Sequence, residues 1–143
     1  MISRDSDTEG LVILGVDPGT MCGWAVMRQV CQPAKLHRIA SGVLSLKPNA
    51  HEGAGVRYLK LRRSLQHILS HYKVNVIGYE IVRRHKGTAA SHIYGGIVAT
   101  IQTLCEQVDI PYHGVSVQAV KKAATGSGRA SKDEMVAAAV ARW

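Results

Sequence analysis

Apolar positions along the chain fall into short blocks separated by turn-forming residues. Leu11, Val12, Ile13 and Leu14 form an unbroken apolar run, Gly15-Val16-Asp17 carries it on, and Pro18-Gly19-Thr20 stops it. Apolar residues resume at Trp24, Ala25 and Val26. A run without alternation reads as a strand buried on both faces. Pro-Gly after it reads as a tight turn leading into a hairpin partner. The pattern therefore predicts strands over 11–17 and 22–28, a turn over 30–36 around Gln32 and Pro33, and a third strand over 37–46. Together these make an antiparallel meander.

Beyond a loop at 47–55 the period changes. Tyr58, Leu61, Leu65, Ile68, Leu69 and Tyr72 share one face of a helix over 56–72. Its other face carries Arg57, Lys60, Arg62 and Arg63, which read as a solvated surface, as do His67 and His71. A strand over 74–80 ends on Glu80, and a basic segment, 81–87, holds Arg83, Arg84, His85 and Lys86. Ile93, Ile97, Ile101 and Leu104 then keep helical register over 88–108. Gly95 and Gly96 inside that helix each cost about 1 kcal/mol relative to Ala, so they mark a close contact or a dimer surface. A short strand over 110–117, a short helix over 118–124 and a glycine-rich loop over 125–130 follow. Ser131 with Glu134 forms a capping box that opens a last helix bearing Met135, Val136, Ala139 and Val140. This order predicts an α/β fold, a mixed sheet with helices on both faces. Residues 1–10 are polar without hydrophobic period and are expected to be a flexible N-terminus, with 11–143 as a single domain.

Composition narrows the class. The 143 residues are 46% hydrophobic, enough for a real core. No apolar run is long enough to cross a membrane, and no signal-peptide core is present, so no membrane association is expected. Cys22, Cys31 and Cys105 are too few and too scattered for a disulfide framework or a zinc site, which points to the cytoplasm. A formal charge of +8 suggests a polyanionic partner.

Against that basic background, two acids end two apolar strands, Asp17 and Glu80. Asp before Pro-Gly is also ordinary turn chemistry. If their strands are neighbours, however, the two carboxylates emerge together, and such a pair on a basic protein has a use. It holds Mg²⁺, a hard cation that prefers oxygen ligands, against a phosphodiester. Paired ions about 4 Å apart activate a water and stabilise the leaving oxygen. Lysines and arginines around them bind the flanking phosphates.

The run ILGVDPGTMCGWAV, the acid closing GYE, and the tail QAVKKAATGSGRASKDEMV resemble RuvC-type Holliday-junction resolvases of the ribonuclease H-like superfamily. The likeness runs from about Leu11 to the C-terminus, and its specificity lies in the combination of motifs. It implies a five-stranded mixed sheet, an antiparallel three-strand meander followed by parallel strands, flanked by helices. It implies that Asp17 and Glu80 are metal ligands and catalytic residues, with Mg²⁺ as the cofactor and Mn²⁺ as a substitute. Lys121 and Lys132 match the family's functional lysines, Lys132 assisting at the scissile phosphate. DNA contacts are expected from Lys121, Lys122, Lys132, Arg83, Arg84, Lys86 and Arg129. The partner implied is a four-way DNA junction, cut by paired symmetric nicks, and helix 88–108 is expected to build a homodimer. The family's remaining acids lie on a C-terminal catalytic helix beyond the position matching Trp143, so residues 1–143 alone are expected to lack it and to cut poorly. The segment after Glu80 carries no Phe, where such resolvases often place an aromatic, so junction handling is expected to differ.

Three other functions remain open at this level. A ribonuclease H-like nuclease acting on other branched DNA or RNA would use the same acids. A junction-binding protein without cleavage would need no metal. An ATPase of the actin and sugar-kinase type also opens on strand–D-x-G-T–strand, but this chain is too short for the second lobe that would enclose a nucleotide.

Overall fold

The computed structural model describes residues 10–31 and 34–143. Five strands form one sheet in the order β3-β2-β1-β4-β5, with β1 Val12–Asp17, β2 Met21–Cys31, β3 Ala34–Ser45, β4 Val76–Ile81 and β5 Tyr112–Ser116. β1, β2 and β3 are antiparallel, whereas β4 runs parallel to both β1 and β5. This is the mixed sheet that the pattern predicted.

The meander is longer than its hydrophobicity suggested. Pairing of β2 with β3 continues through Val30↔Lys35 to Cys31↔Ala34, so residues 30, 31 and 34–36 of the expected turn are strand instead, and its Gln32 and Pro33 lie outside the described residues. Beyond the last β1–β2 pair, Val12↔Arg28, exposed Val30, Lys35 and Leu36 belong to a two-strand extension, where a ladder persists without a core to cover. The flexible end expected at 1–10 lies outside the described residues except for Gly10. β5 and α3 also divide differently: the strand ends at Ser116, whose hydroxyl accepts from the Ala119 N–H at 3.2 Å and so starts α3, Val117–Thr125.

Two long helices, α1 Val56–Tyr72 and α2 Thr88–Val108, occupy the predicted residues and pack on each other against one face of the sheet. Leu61, Leu65, Ile68 and Leu69 of α1 and Ile97, Ile101 and Leu104 of α2 close over Leu14, Val16, Val26 and Ile77. Gly96 is the point where α2 meets α1, since a Cβ there would collide with the ring of Tyr58. Gly95, one residue before, faces open space. The basic face of α1 is tied down locally, Lys60 bonding Glu52 at 2.8 Å and the Lys47 carbonyl at 3.2 Å.

The unbroken apolar run of β1 misled on one point. Val12, Leu14 and Val16 are buried, but Ile13 and Gly15 are only half-buried and Asp17 is exposed. The second face of the sheet carries α3 and α4, Lys132–Arg142, at one side only. Both bonds of the Ser131–Glu134 capping box are present, Glu134 N–H to Ser131 Oγ at 3.2 Å and Ser131 N–H to Glu134 Oε2 at 2.6 Å.

Gly96→Ala is expected to cost about 1–3 kcal/mol by overpacking against Tyr58. Gly95→Ala is expected to stabilise by about 0.5–1 kcal/mol through helix propensity. Urea denaturation of the two variants separates the packed glycine from the free one.

Candidate active site

β1 and β4 lie side by side and parallel, with Gly15 opposite Gly78 and Val16 opposite Tyr79. The next residues on the two strands are Asp17 and Glu80. Side chains alternate along a strand, so both carboxylates emerge on the face opposite the helical core, at the same end of adjacent strands. Glu80 is held above the usual glutamate range, first by partial burial and then by the Asp17 charge. Lys121 of α3 pulls in the opposite direction.

The floor beside these acids is bare. Gly15, Gly23, Ala25 and Gly78 lie next to one another on β1, β2 and β4 and line a hollow of about 770 Å³. Gly78 has nothing within 4 Å of where a Cβ would stand, and Gly15 has only the Ala25 carbonyl at 3.9 Å. Internal packing therefore does not demand these glycines; they keep the backbone accessible beside the acids. The signal was present in the sequence but unread. Gly15-Val16-Asp17 and Gly78-Tyr79-Glu80 repeat one pattern, with glycine two positions before the acid and hence on the same face.

Across the hollow stand Lys121 of α3 and Lys132 of α4, with Val120 and Met135. Of the predicted site residues, the structure thus brings together Asp17, Glu80, Lys121 and Lys132. Lys122 and Arg129 are exposed on and after α3, outside the hollow lining, and Arg83, Arg84 and Lys86 are exposed on the segment after β4. Asp17 is exposed at its strand end, although the run before it reads as buried. What distinguishes it is a like-charged neighbour.

A carboxylate pair with one acid destabilised by the other suits a divalent cation, which relieves the repulsion. Mg²⁺ in particular binds through one or two carboxylates and fills its remaining positions with water and phosphate oxygens. Among the described residues, no cluster of three or more His, Cys, Asp or Glu side chains is placed to hold a metal ion. Cys22 is buried close by, its thiol pushed up to about 11 by burial and the Asp17 charge despite a backbone hydrogen bond from Gly19. It is therefore a neutral packing residue at neutral pH.

The model of the family described as crossover junction endodeoxyribonuclease RuvC matches residues 13–142. The chain belongs to this family. The RuvC of Rickettsia akari is 28% identical over 127 residues, covering 88% of this chain and 78% of that protein. The solved Thermus thermophilus RuvC superposes with a TM-score of 0.78 over 92% of this chain and 80% of that one, at 19% identity. The same protein in complex with its Holliday junction substrate gives 0.77 over 90% and 76%, at 20% identity. At these identities the two structures show that the RuvC fold is shared.

Asp17→Asn removes the charge that opposes Glu80 ionisation and is expected to lower the Glu80 pKa. Because Glu80 is raised in the folded state, its contribution to stability is present in acid and is lost as pH rises through the raised value. The variant is therefore expected to melt higher than the parent near neutral pH, by about 2 °C. NMR titration of the carboxyl and thermal melting check the two parts.

Proposed function

We propose that this chain is a metal-dependent endonuclease that resolves four-way DNA junctions by paired nicks, with Asp17 and Glu80 as its cation ligands. The observation that carries the reading is the juxtaposition of these two carboxylates on adjacent parallel strands, facing two lysines across an open hollow. Family membership supports the reaction class, and the Thermus thermophilus relative has been solved with a Holliday junction.

A divalent cation held by Asp17 and Glu80 would polarise the scissile phosphate and supply a water activated for attack. Mg²⁺ fits two carboxylate ligands, and Mn²⁺ would take the same donors. Lys132 and Lys121 face the acids and balance negative charge on the phosphate, Lys132 at the scissile group itself. The bare glycine floor lets a bulky ligand approach the strands without meeting side chains. Lys122, Arg129, Arg83, Arg84 and Lys86 form an exposed basic surround that grips flanking phosphates and adds no base readout of its own.

Paired cuts need two sites related by symmetry, and helix α2 offers the surface. His92, Gly95, Ala99 and Thr103 lie exposed along its outer side. A second copy seated there would give a two-fold dimer matching a junction's own symmetry. No helix among the described residues is long and apolar enough to cross a membrane.

In the natural protein, Mg²⁺ and an immobile four-way junction are expected to yield nicks at symmetric positions. Asp17→Asn is expected to slow cutting more than about 100-fold with junction binding retained. Binding without nicks in the parent would favour a structural DNA-binding role. Equal cutting of duplex or RNA would move the assignment to a broader nuclease.

A further inference from the structure

β1 gives out beside β4 at Val16↔Tyr79, two residues before β4 ends, while β5 continues alongside to Ile81↔Ser116. On the β1 side, the strand end that carries Glu80 has therefore outrun its neighbour. Tyr94, from the first half of α2, reaches this point. The Val82 N–H donates to the Tyr94 hydroxyl at 3.0 Å, and the hydroxyl donates to the Glu80 carbonyl oxygen at 3.0 Å. A carbonyl and the N–H two residues on are the pair that a strand neighbour would take in a parallel ladder. One hydroxyl, used as donor and acceptor together, stands in for the missing strand. The same ring also seats the following segment, since the His85 imidazole lies 4.6 Å from it, tilted by 42°.

We propose that Tyr94 is a positioning residue for the cation site: by closing the end of β4 over Glu80 and Val82, its hydroxyl aims the Glu80 carboxylate at Asp17 and anchors the Arg83–Lys86 segment. The proposal rests on the reading of Asp17 and Glu80 as cation ligands. Tyr94 touches neither carboxylate. It acts through the peptide groups on either side of Ile81, one of which belongs to Glu80 itself. Positioning is needed here because Glu80 is held beside a like charge, and a loose strand end would let its carboxylate swing away from Asp17.

The structure supplies a matched control. Tyr79 also joins β4 to α2 through its hydroxyl, which accepts from Gln102 Nε2 at 2.9 Å. Its side chain is buried with the helical core, on the opposite face from Glu80.

The test is Mn²⁺ binding to the chain, followed by paramagnetic broadening of amide signals, in the parent, Tyr94→Phe, Tyr79→Phe and Asp17→Asn. Phe keeps the ring that His85 packs on and removes only the hydroxyl. Tyr94→Phe is expected to weaken Mn²⁺ binding about tenfold and to speed exchange of the Val82 amide. Tyr79→Phe is expected to lower the melting temperature while leaving Mn²⁺ affinity within about twofold of the parent. Parent-like Mn²⁺ affinity in Tyr94→Phe, with Asp17→Asn impaired, overturns the positioning role and leaves the cation site standing. Equal weakening in both Tyr→Phe variants reduces Tyr94 to general stability and also overturns it. Unchanged binding in Asp17→Asn overturns the cation reading, and the role of Tyr94 with it.

Discussion

The parallel pairing of β1 with β4 is the constraint on which the site depends. Neither acid is special within its own strand. Each sits one residue beyond the last matched pair, Val16↔Tyr79, and the shared register puts them on one face at one end. A slip of one residue would turn a carboxylate into the helical core. What fixes the register is burial on the opposite face, where Leu14, Val16, Ile77 and Tyr79 all face α1 and α2. The hydrophobic core and the polar site are thus two sides of the same ladder, the first specifying the second.

The site face is built differently from the core face. It bears glycine and alanine where the other bears branched side chains, and its helices α3 and α4 stand to one side. That leaves two like charges beside exposed backbone, an arrangement that costs stability unless something positive completes it. Lys121 offsets part of the cost, lowering what burial and Asp17 raise at Glu80. The remainder is the kind of local destabilisation found where a ligand supplies the missing charge.

Much of this was legible from the pattern of residues. The bounds of α1 and α2 follow from helical period alone, and the Ser131–Glu134 box announces α4. The two strand-end acids could be read as partners once β1 and β4 were taken as neighbours. Less legible was what depends on distant contacts. Nothing local says that the β2–β3 ladder continues past its apolar stretch, because there the strands hold each other without a core. The run at Leu11–Leu14 suggested burial on both faces, yet a half-covered face needs only moderate hydrophobicity at Ile13. Gly95 and Gly96 look alike in sequence, and only the position of Tyr58 on another helix separates them. Tyr94 was overlooked because its partners are backbone groups, which leave no mark on residue type.

The central claim is that Asp17 and Glu80 together hold one divalent cation. Anomalous diffraction from crystals of the protein grown with Mn²⁺ addresses it most directly. The account predicts a peak at about 2.1 Å from a carboxylate oxygen of each residue, absent in Asp17→Asn crystals. Saturating Mn²⁺ with no peak between the two acids, or with ions bound only elsewhere, would contradict it.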